Sequence, residues 1–332
     1  MRRVGSCIII APNGDAHRVA LCFEQSSGVP YHAAMRVLIA GFGYIGQALG
    51  AELARQGHEV FGVRRSPGTE ADWQAAGVKR LQADITQREQ LASLPQAWDW
   101  VVNCVSSSRG GLEDYRAAYL QGTRNLVEWL QAAPPEKFVY TSSTSVYGQS
   151  DGSLVTETSP AKPRIETGNV LLEAERALLE SARQAKFPAV ILRVAGIYGP
   201  GRGYWFNQYV NGSAVIEGKG ERVLNMIHRD DVAGAVMAAL QHGQAGEIYN
   251  AVDDEPITQL GFFQWLSRSL RKPLPPFVPE DTATALKRGL TSKRVSNHRL
   301  KLELGYRFKY PTFREGYAAE LLRQGQEGDR QT

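Results

Sequence analysis

The sequence predicts an α/β chain: a doubly wound parallel sheet with a smaller, discontinuous C-terminal lobe. Three features predict it: short unbroken apolar runs of strand length, stretches of helical period between them, and a glycine-rich turn where the first run meets the first helix. Strands that read as continuous apolar runs are buried on both faces, and a parallel sheet covered by helices supplies that burial.

Taken in order, Val37-Leu38-Ile39-Ala40 reads as a central strand. Ile45, Leu49 and Leu53 fall at i, i+4 and i+8 on one face of the following helix, which Gly57 closes. Glu59 to Val63, Val78 to Gln82 and Trp98 to Val105 read as the next strands, with a short helix near Arg88 to Leu94 between the last two. A long helix over Tyr115 to Ala132 leads to the strand Lys137 to Thr141, and a helix over Val170 to Ala185 leads to the strand Ala189 to Ala195. After Gly199-Pro200-Gly201 the alternation weakens. Tyr204, Trp205 and Phe206, and later the Pro-rich Lys272 to Pro279, suggest a second lobe. Between them, Leu224 to Ile227, a helix Val232 to Leu240 capped by Asp230/Asp231, and a strand Glu247 to Val252 read as a return to the main sheet.

The expected organisation is therefore a main domain over 35–200 and 226–252, a substrate lobe over 201–225 and 253–320, and a polar tail over 321–332. Residues 1–34 carry no clear period while Met35 directly precedes a strong strand, so they are expected to be a poorly ordered extension or an upstream start. The short apolar stretch around Ile8-Ile9-Ile10 imitates a signal peptide, but Pro12, Asn13, Gly14 and Asp15 interrupt it within a few residues.

The charge balance is mild, 38 basic against 34 acidic residues, without the basic cluster or aromatic interleaving of a nucleic-acid footprint. Cys7, Cys22 and Cys104 form no C-x-x-C pair and have no histidine at metal spacing, so a reducing compartment and no metal site are expected. No apolar run approaches the roughly 18 residues needed to span a bilayer, so the expected location is cytoplasmic, with no membrane partner. A homodimer is compatible with this reading.

Gly41-Phe42-Gly43-Tyr44-Ile45-Gly46 is G-x-G-x-x-G lying directly after a strand and opening a helix. In that setting Gly41 permits the tight turn, Gly43 lets a pyrophosphate approach the backbone and Gly46 lets helix and strand pack closely. The helix N-terminus then presents unpaired N–H groups to the phosphates. The second strand addresses the choice of cofactor. An NAD site places Asp or Glu about 20 residues beyond the glycines, whereas here the strand runs into Arg64-Arg65, two planar forks suited to a 2′-phosphate. NADP(H) is expected, with NAD as the alternative.

With these residues in hand, the chain resembles the extended short-chain dehydrogenase/reductase superfamily, the NAD(P)-dependent epimerase/dehydratase group. The likeness runs over about Met35 to Tyr317. It is carried by the glycine turn, Ala83-Asp84-Ile85, Asn103-Cys104-Val105-Ser106, Gly122-Thr123-Arg124-Asn125-Leu126, Ser142 to Gly148, Arg193 to Pro200 and Ile227 to Ala233. The resemblance implies that Asp84 and Ile85 contact the adenine, that Asn103, Val105 and Ser106 line the nicotinamide half, and that Ser143 hydrogen-bonds a substrate oxygen. Two plainer roles compete: Asp84 as a helix cap and Ser143 as a partner for strand-end backbone groups.

The superfamily's acid/base is a Tyr-x-x-x-Lys pair on the next helix, and this sequence lacks it. Aligning Leu172-Glu173-Ala174-Glu175 with that helix places Thr167 at the tyrosine and Leu171 at the lysine. A threonine hydroxyl titrates far too high to replace a lysine-activated phenol. The closer likeness is to the atypical, YeeZ-type branch, which lacks the pair, and the run Lys293 to Leu300 before Leu304-Gly305-Tyr306 also fits that branch.

The implied function is an NADP(H)-dependent oxidoreductase or epimerase-like enzyme acting on a small carbonyl or sugar-type substrate through a non-standard proton donor. Ser143, Tyr147 and Tyr198 are the catalytic candidates, with Tyr204 a further phenol near the strand-end mouth. The alternative is a non-catalytic NADP(H)-binding sensor.

Overall fold

In a computed structural model that describes residues 34–66, 70–107, 111–279 and 291–329, the chain is organised around β1 (Arg36–Ala40). Six further strands join it: β2 (Glu59–Arg64), β3 (Lys79–Gln82), β4 (Trp100–Asn103), β5 (Lys137–Ser143), β6 (Ala189–Val194) and β7 (Ile248–Ala251). All pairings are parallel and the spatial order is β7-β6-β5-β4-β1-β2-β3. This is the doubly wound Rossmann arrangement. The extension predicted over 1–34 lies outside the described residues except for Ala34.

Strand alternation explains why both sheet faces must be covered. Val37 and Ile39 point into one apolar layer with Val60, Val102 and Val139. Leu38 and Ala40 point into the other with Val63, Val101 and Phe138. The long helix predicted before β5 is Leu112–Tyr115, a π-type turn Arg116–Gln121 and Gly122–Leu130 in continuous succession. The helix before β6 is Glu166–Ala185, one turn longer than its apolar pattern suggested.

A third apolar core lies in the second lobe, where Tyr198, Phe206, Phe262, Phe263, Phe313 and Tyr317 meet. Its helices are Tyr204–Val210, Gln259–Leu270 and Phe313–Asp329. The last of these runs through most of the expected polar tail, so residues 321–329 continue a helix.

Three further expectations are corrected. Met226–His228 does not return to the main sheet. It pairs in parallel with Gly196–Tyr198, just past the end of β6, and only β7 rejoins the seven strands. The following helix, Arg229–His242, is capped by the His228 ring, which accepts from the Asp230 amide at 3.1 Å. Asp231 instead accepts from Tyr306, Lys309 and Tyr310, and Asp230 pairs with Arg229 and Lys309. Finally, part of the stretch assigned to the second lobe packs on the sheet. Val295, Leu300 and Leu304 enter the layer of Val37. Arg294–Val295 pairs with Leu154–Val155, and Arg299 ties that segment to Glu247 and the Ile248 carbonyl. The Leu300/Leu304 spacing makes an apolar face that the β7 side of the sheet buries.

Candidate functional site

A cavity of about 1170 Å³ opens at the C-terminal edge of the sheet, where β1 and β4 feed chains that depart to opposite sides. It exceeds the roughly 300–1,000 Å³ of a typical single-ligand pocket, leaving room for a dinucleotide and a second small molecule.

The glycine turn forms one wall. Gly41 has φ +95°, and a Cβ there would lie 2.6 Å from the Val105 amide nitrogen. Its own N–H donates to the Val63 carbonyl at 3.0 Å, fixing the turn to the end of β2. A Cβ on Gly46 would stand 2.4 Å from the Gly41 carbonyl oxygen. Gly43 differs: nothing lies within 4 Å of the place its Cβ would take, and that space belongs to the cavity. The helix Tyr44–Arg55 starts there with no side-chain cap and no acidic residue in its first turn. Packing thus explains Gly41 and Gly46 but leaves Gly43 and the helix end unexplained, and an anionic group held by backbone amides accounts for both. Tyr44 and Ile45 line the cavity. The Tyr44 hydroxyl is buried without a partner, and burial pushes its pKa up to about 12.

Arg64 and Arg65 stand at the β2 tip on the same wall. Arg65 lies 3.8 Å from Asp84, whose other oxygen accepts from the Thr86 amide and hydroxyl at 2.9 and 2.8 Å. Asp84 therefore holds its own turn while facing the cavity beside Ile85. Val105 and Ser106 line the opposite edge. Asn103 does not reach the cavity. It is buried, donates to Thr123 Oγ1 at 3.0 Å and accepts from the Val105 amide at 3.3 Å, so it positions that loop from behind. Cys104 Sγ contacts the Gly41 carbonyl at 3.2 Å, and burial pushes its thiol up to about 12, far from a reactive thiolate.

The three catalytic candidates separate. Ser143 lines the cavity while its oxygen accepts from the Ser145 amide at 3.1 Å, so the plainer backbone-satisfying role holds and its hydroxyl proton is left to donate. Tyr147 is fully buried away from the cavity, donating to Asn250 Oδ1 at 2.8 Å and accepting from Arg193 at 2.8 Å. It cannot meet a substrate, because it belongs to a buried network with the Arg193–Glu175 pair. Tyr198 touches the cavity, but its hydroxyl donates to the Thr312 carbonyl at 3.3 Å and its ring stacks on Tyr317 at 4.3 Å. Burial raises its pKa further, so neither phenol is placed or tuned as an acid. Tyr204 lines the cavity.

Thr167 and Leu171 occupy the wall where the superfamily's pair would stand. Among the cavity cations that sequence reasoning missed are Arg222 and Lys293 on the second-lobe side. Lys293 sits in the run that carried the resemblance, but no periodicity or spacing marked either residue. Among the described residues no cluster of metal-ligating side chains occurs, and no helix is long and apolar enough to cross a membrane.

Comparison with known proteins gives one family and several relatives. The NAD dependent epimerase/dehydratase family matches residues 37–251. Protein YeeZ of Escherichia coli (strain K12) is 31% identical over 282 residues, covering 83% of this chain and 96% of YeeZ. The 3-diazoavenalumate denitrifying reductase of a Streptomyces species is 28% identical over 318 residues, covering 86% of this chain and all of that enzyme. Among solved structures, DesIV, a dTDP-glucose 4,6-dehydratase from Streptomyces venezuelae with NAD and TYD bound, superposes with a TM-score of 0.74 at 22% identity, covering 86% of this chain and 95% of DesIV.

Proposed function

Since this chain belongs to the NAD-dependent epimerase/dehydratase family, we propose that it is an NADP(H)-using oxidoreductase or epimerase-like enzyme acting on a small carbonyl or sugar-type compound. One observation carries the reading: a single cavity runs from the open backbone at Gly43, past Arg64 and Arg65, to Ser143. The amides at the start of the Tyr44 helix would hold the pyrophosphate, and Arg64 with Arg65 the 2′-phosphate. Asp84 and Ile85 would flank the adenine, and Val105 with Ser106 the nicotinamide end. The dinucleotide, when bound, supplies or accepts the hydride.

This chain's own residues would orient and polarise. Ser143 would donate its free hydroxyl proton to a substrate oxygen, held in place by the Ser145 amide. Thr167 and Leu171 would bound the reacting centre without supplying a low-pKa acid. A proton would therefore come from a group other than a Tyr–Lys pair, which favours substrates whose oxygen is readily protonated from solvent or from a neighbouring cation.

Purified protein mixed with NADPH and a panel of small carbonyl and sugar-nucleotide compounds should show loss of NADPH absorbance with at least one member. The Thr167/Leu171 wall also favours a second reading, an NADP(H) sensor. Tight NADPH binding with flat absorbance across the panel would select it.

A further inference from the structure

Arg222 and Lys293 lie 71 positions apart in sequence yet share one wall of the cavity. Three bonds bring them together: the Val223 amide donates to Ser292 Oγ, Asn225 Nδ2 donates to the Lys293 carbonyl, and the Val295 amide donates to Asn225 Oδ1.

Both cations are poorly compensated. Lys293 is 4% exposed, and its ammonium donates to the Tyr147 carbonyl at 2.8 Å and to Thr291 Oγ1 at 3.1 Å, both neutral acceptors. That leaves one of its three N–H donors. Burial and the neighbouring Arg222 charge push its pKa down to about 8. Arg222 reaches Glu217 only at 3.5 Å through one terminal nitrogen, and its Nε is buried with no partner. Its guanidinium lies 5.7 Å from the centre of the Trp205 ring. The carboxylates on the cavity wall are engaged elsewhere, Asp84 by Thr86 and Asp114 by Ser107. Holding two cations together out of water is costly unless an anion shares the site.

We propose that the substrate is a small carboxylic acid whose carboxylate docks between Arg222 and Lys293, with Trp205 as the apolar wall beside it. The terminal N–H groups of a guanidinium form a planar fork that matches two coplanar carboxylate oxygens. Arg222, Lys293 and Glu217 together carry one net positive charge, which a carboxylate neutralises and a phosphate dianion would overshoot beside Glu217. The carbonyl that Lys293 grips belongs to Tyr147, four residues beyond Ser143. The Lys293 ammonium and the Ser143 hydroxyl would thus be tied to one another through one short segment. The assignment rests on the oxidoreductase reading for the reaction this acid undergoes; the binding does not depend on it.

Ligand-observed NMR on the full chain, with and without NADPH, tests the site with benzoate, its neutral isostere benzamide, and phenyl phosphate as probes. Benzoate should bind at least about tenfold more tightly than benzamide. Arg222→Met and Lys293→Met should each erase that preference, Arg222→Lys should keep part of it, and NADPH affinity should be unchanged. Arg222 is the less buried of the two, so its variant keeps the test sound if Lys293→Met fails to fold. Equal binding of benzoate and benzamide, tighter binding of phenyl phosphate than of benzoate, or a preference that survives Arg222→Met would overturn the assignment. A benzoate preference in protein that does not bind NADPH would support the carboxylate site while removing the cofactor reading.

Discussion

Arg193 donates to the Tyr147 hydroxyl at 2.8 Å, in a position where neither side chain is more than 4% exposed. The same guanidinium grips Glu175 through Nε and Nη2, with a shortest contact of 2.7 Å, and Glu175 also accepts from Ser142. A phenol that looks catalytic by its place after β5 is thus part of a buried polar network joining β5, β6 and β7 to the helix Glu166–Ala185.

Tyr147→Phe should therefore leave NADPH affinity and any turnover within about twofold of the parent, while lowering stability by about 1–3 kcal/mol as Asn250 and Arg193 lose a partner. Urea denaturation and a nucleotide titration on the same sample check both halves. A large loss of turnover with stability intact would restore Tyr147 as a functional group.

The glycine turn offers two alanines with opposite signatures. Gly46→Ala puts a methyl 2.4 Å from the Gly41 carbonyl oxygen, so the turn must shift and thermal stability should fall. Gly43→Ala meets nothing within 4 Å, so stability should barely change, yet its methyl stands where a pyrophosphate would approach. NADPH affinity of Gly43→Ala should drop at least about tenfold, equivalent to about 1.4 kcal/mol. Unchanged affinity would mean that the phosphates lie elsewhere.

Arg64→Asp should weaken NADPH at least about tenfold more than NADH, because a charge-assisted bond to phosphate is worth about 1.5–3 kcal/mol and only NADPH carries the 2′-phosphate. Calorimetric titration of both nucleotides gives the ratio. Parallel losses would retire Arg64 as the group that holds the 2′-phosphate.

Acid should destabilise the fold through His228. The ring is 1% exposed, and burial lowers its pKa from 6.5 to about 4 against the opposing pull of Asp230. The unfolded chain takes up this proton below about pH 6.5 while the folded chain refuses it until about pH 4, so stability falls as pH drops through that window. At pH 5 the loss is about 2 kcal/mol. His228→Asn keeps an acceptor for the Asp230 amide but cannot titrate, so its stability should decline less between pH 7 and pH 5 than that of the parent. Identical slopes in pH-dependent thermal melts would place the acid sensitivity elsewhere.

The sequence by itself determined the sheet and the glycine turn. Both are written in local patterns: apolar runs such as Val37–Ala40 that only a doubly covered strand can bury, and a glycine spacing whose two structural members collide with their neighbours if given a side chain. Tertiary structure decided what faces the cavity. Tyr147 and Ser143 are four residues apart, yet one lies in the core and the other at the mouth, because the short 3₁₀ turn Thr144–Val146 carries the chain inward. Arg222 and Lys293 meet because Asn225 and Ser292 stitch together two segments that no local period relates. Periodicity records which way a side chain points on its own element, whereas a cleft is assembled from elements brought together by packing, and that juxtaposition leaves no spacing in the chain to be read.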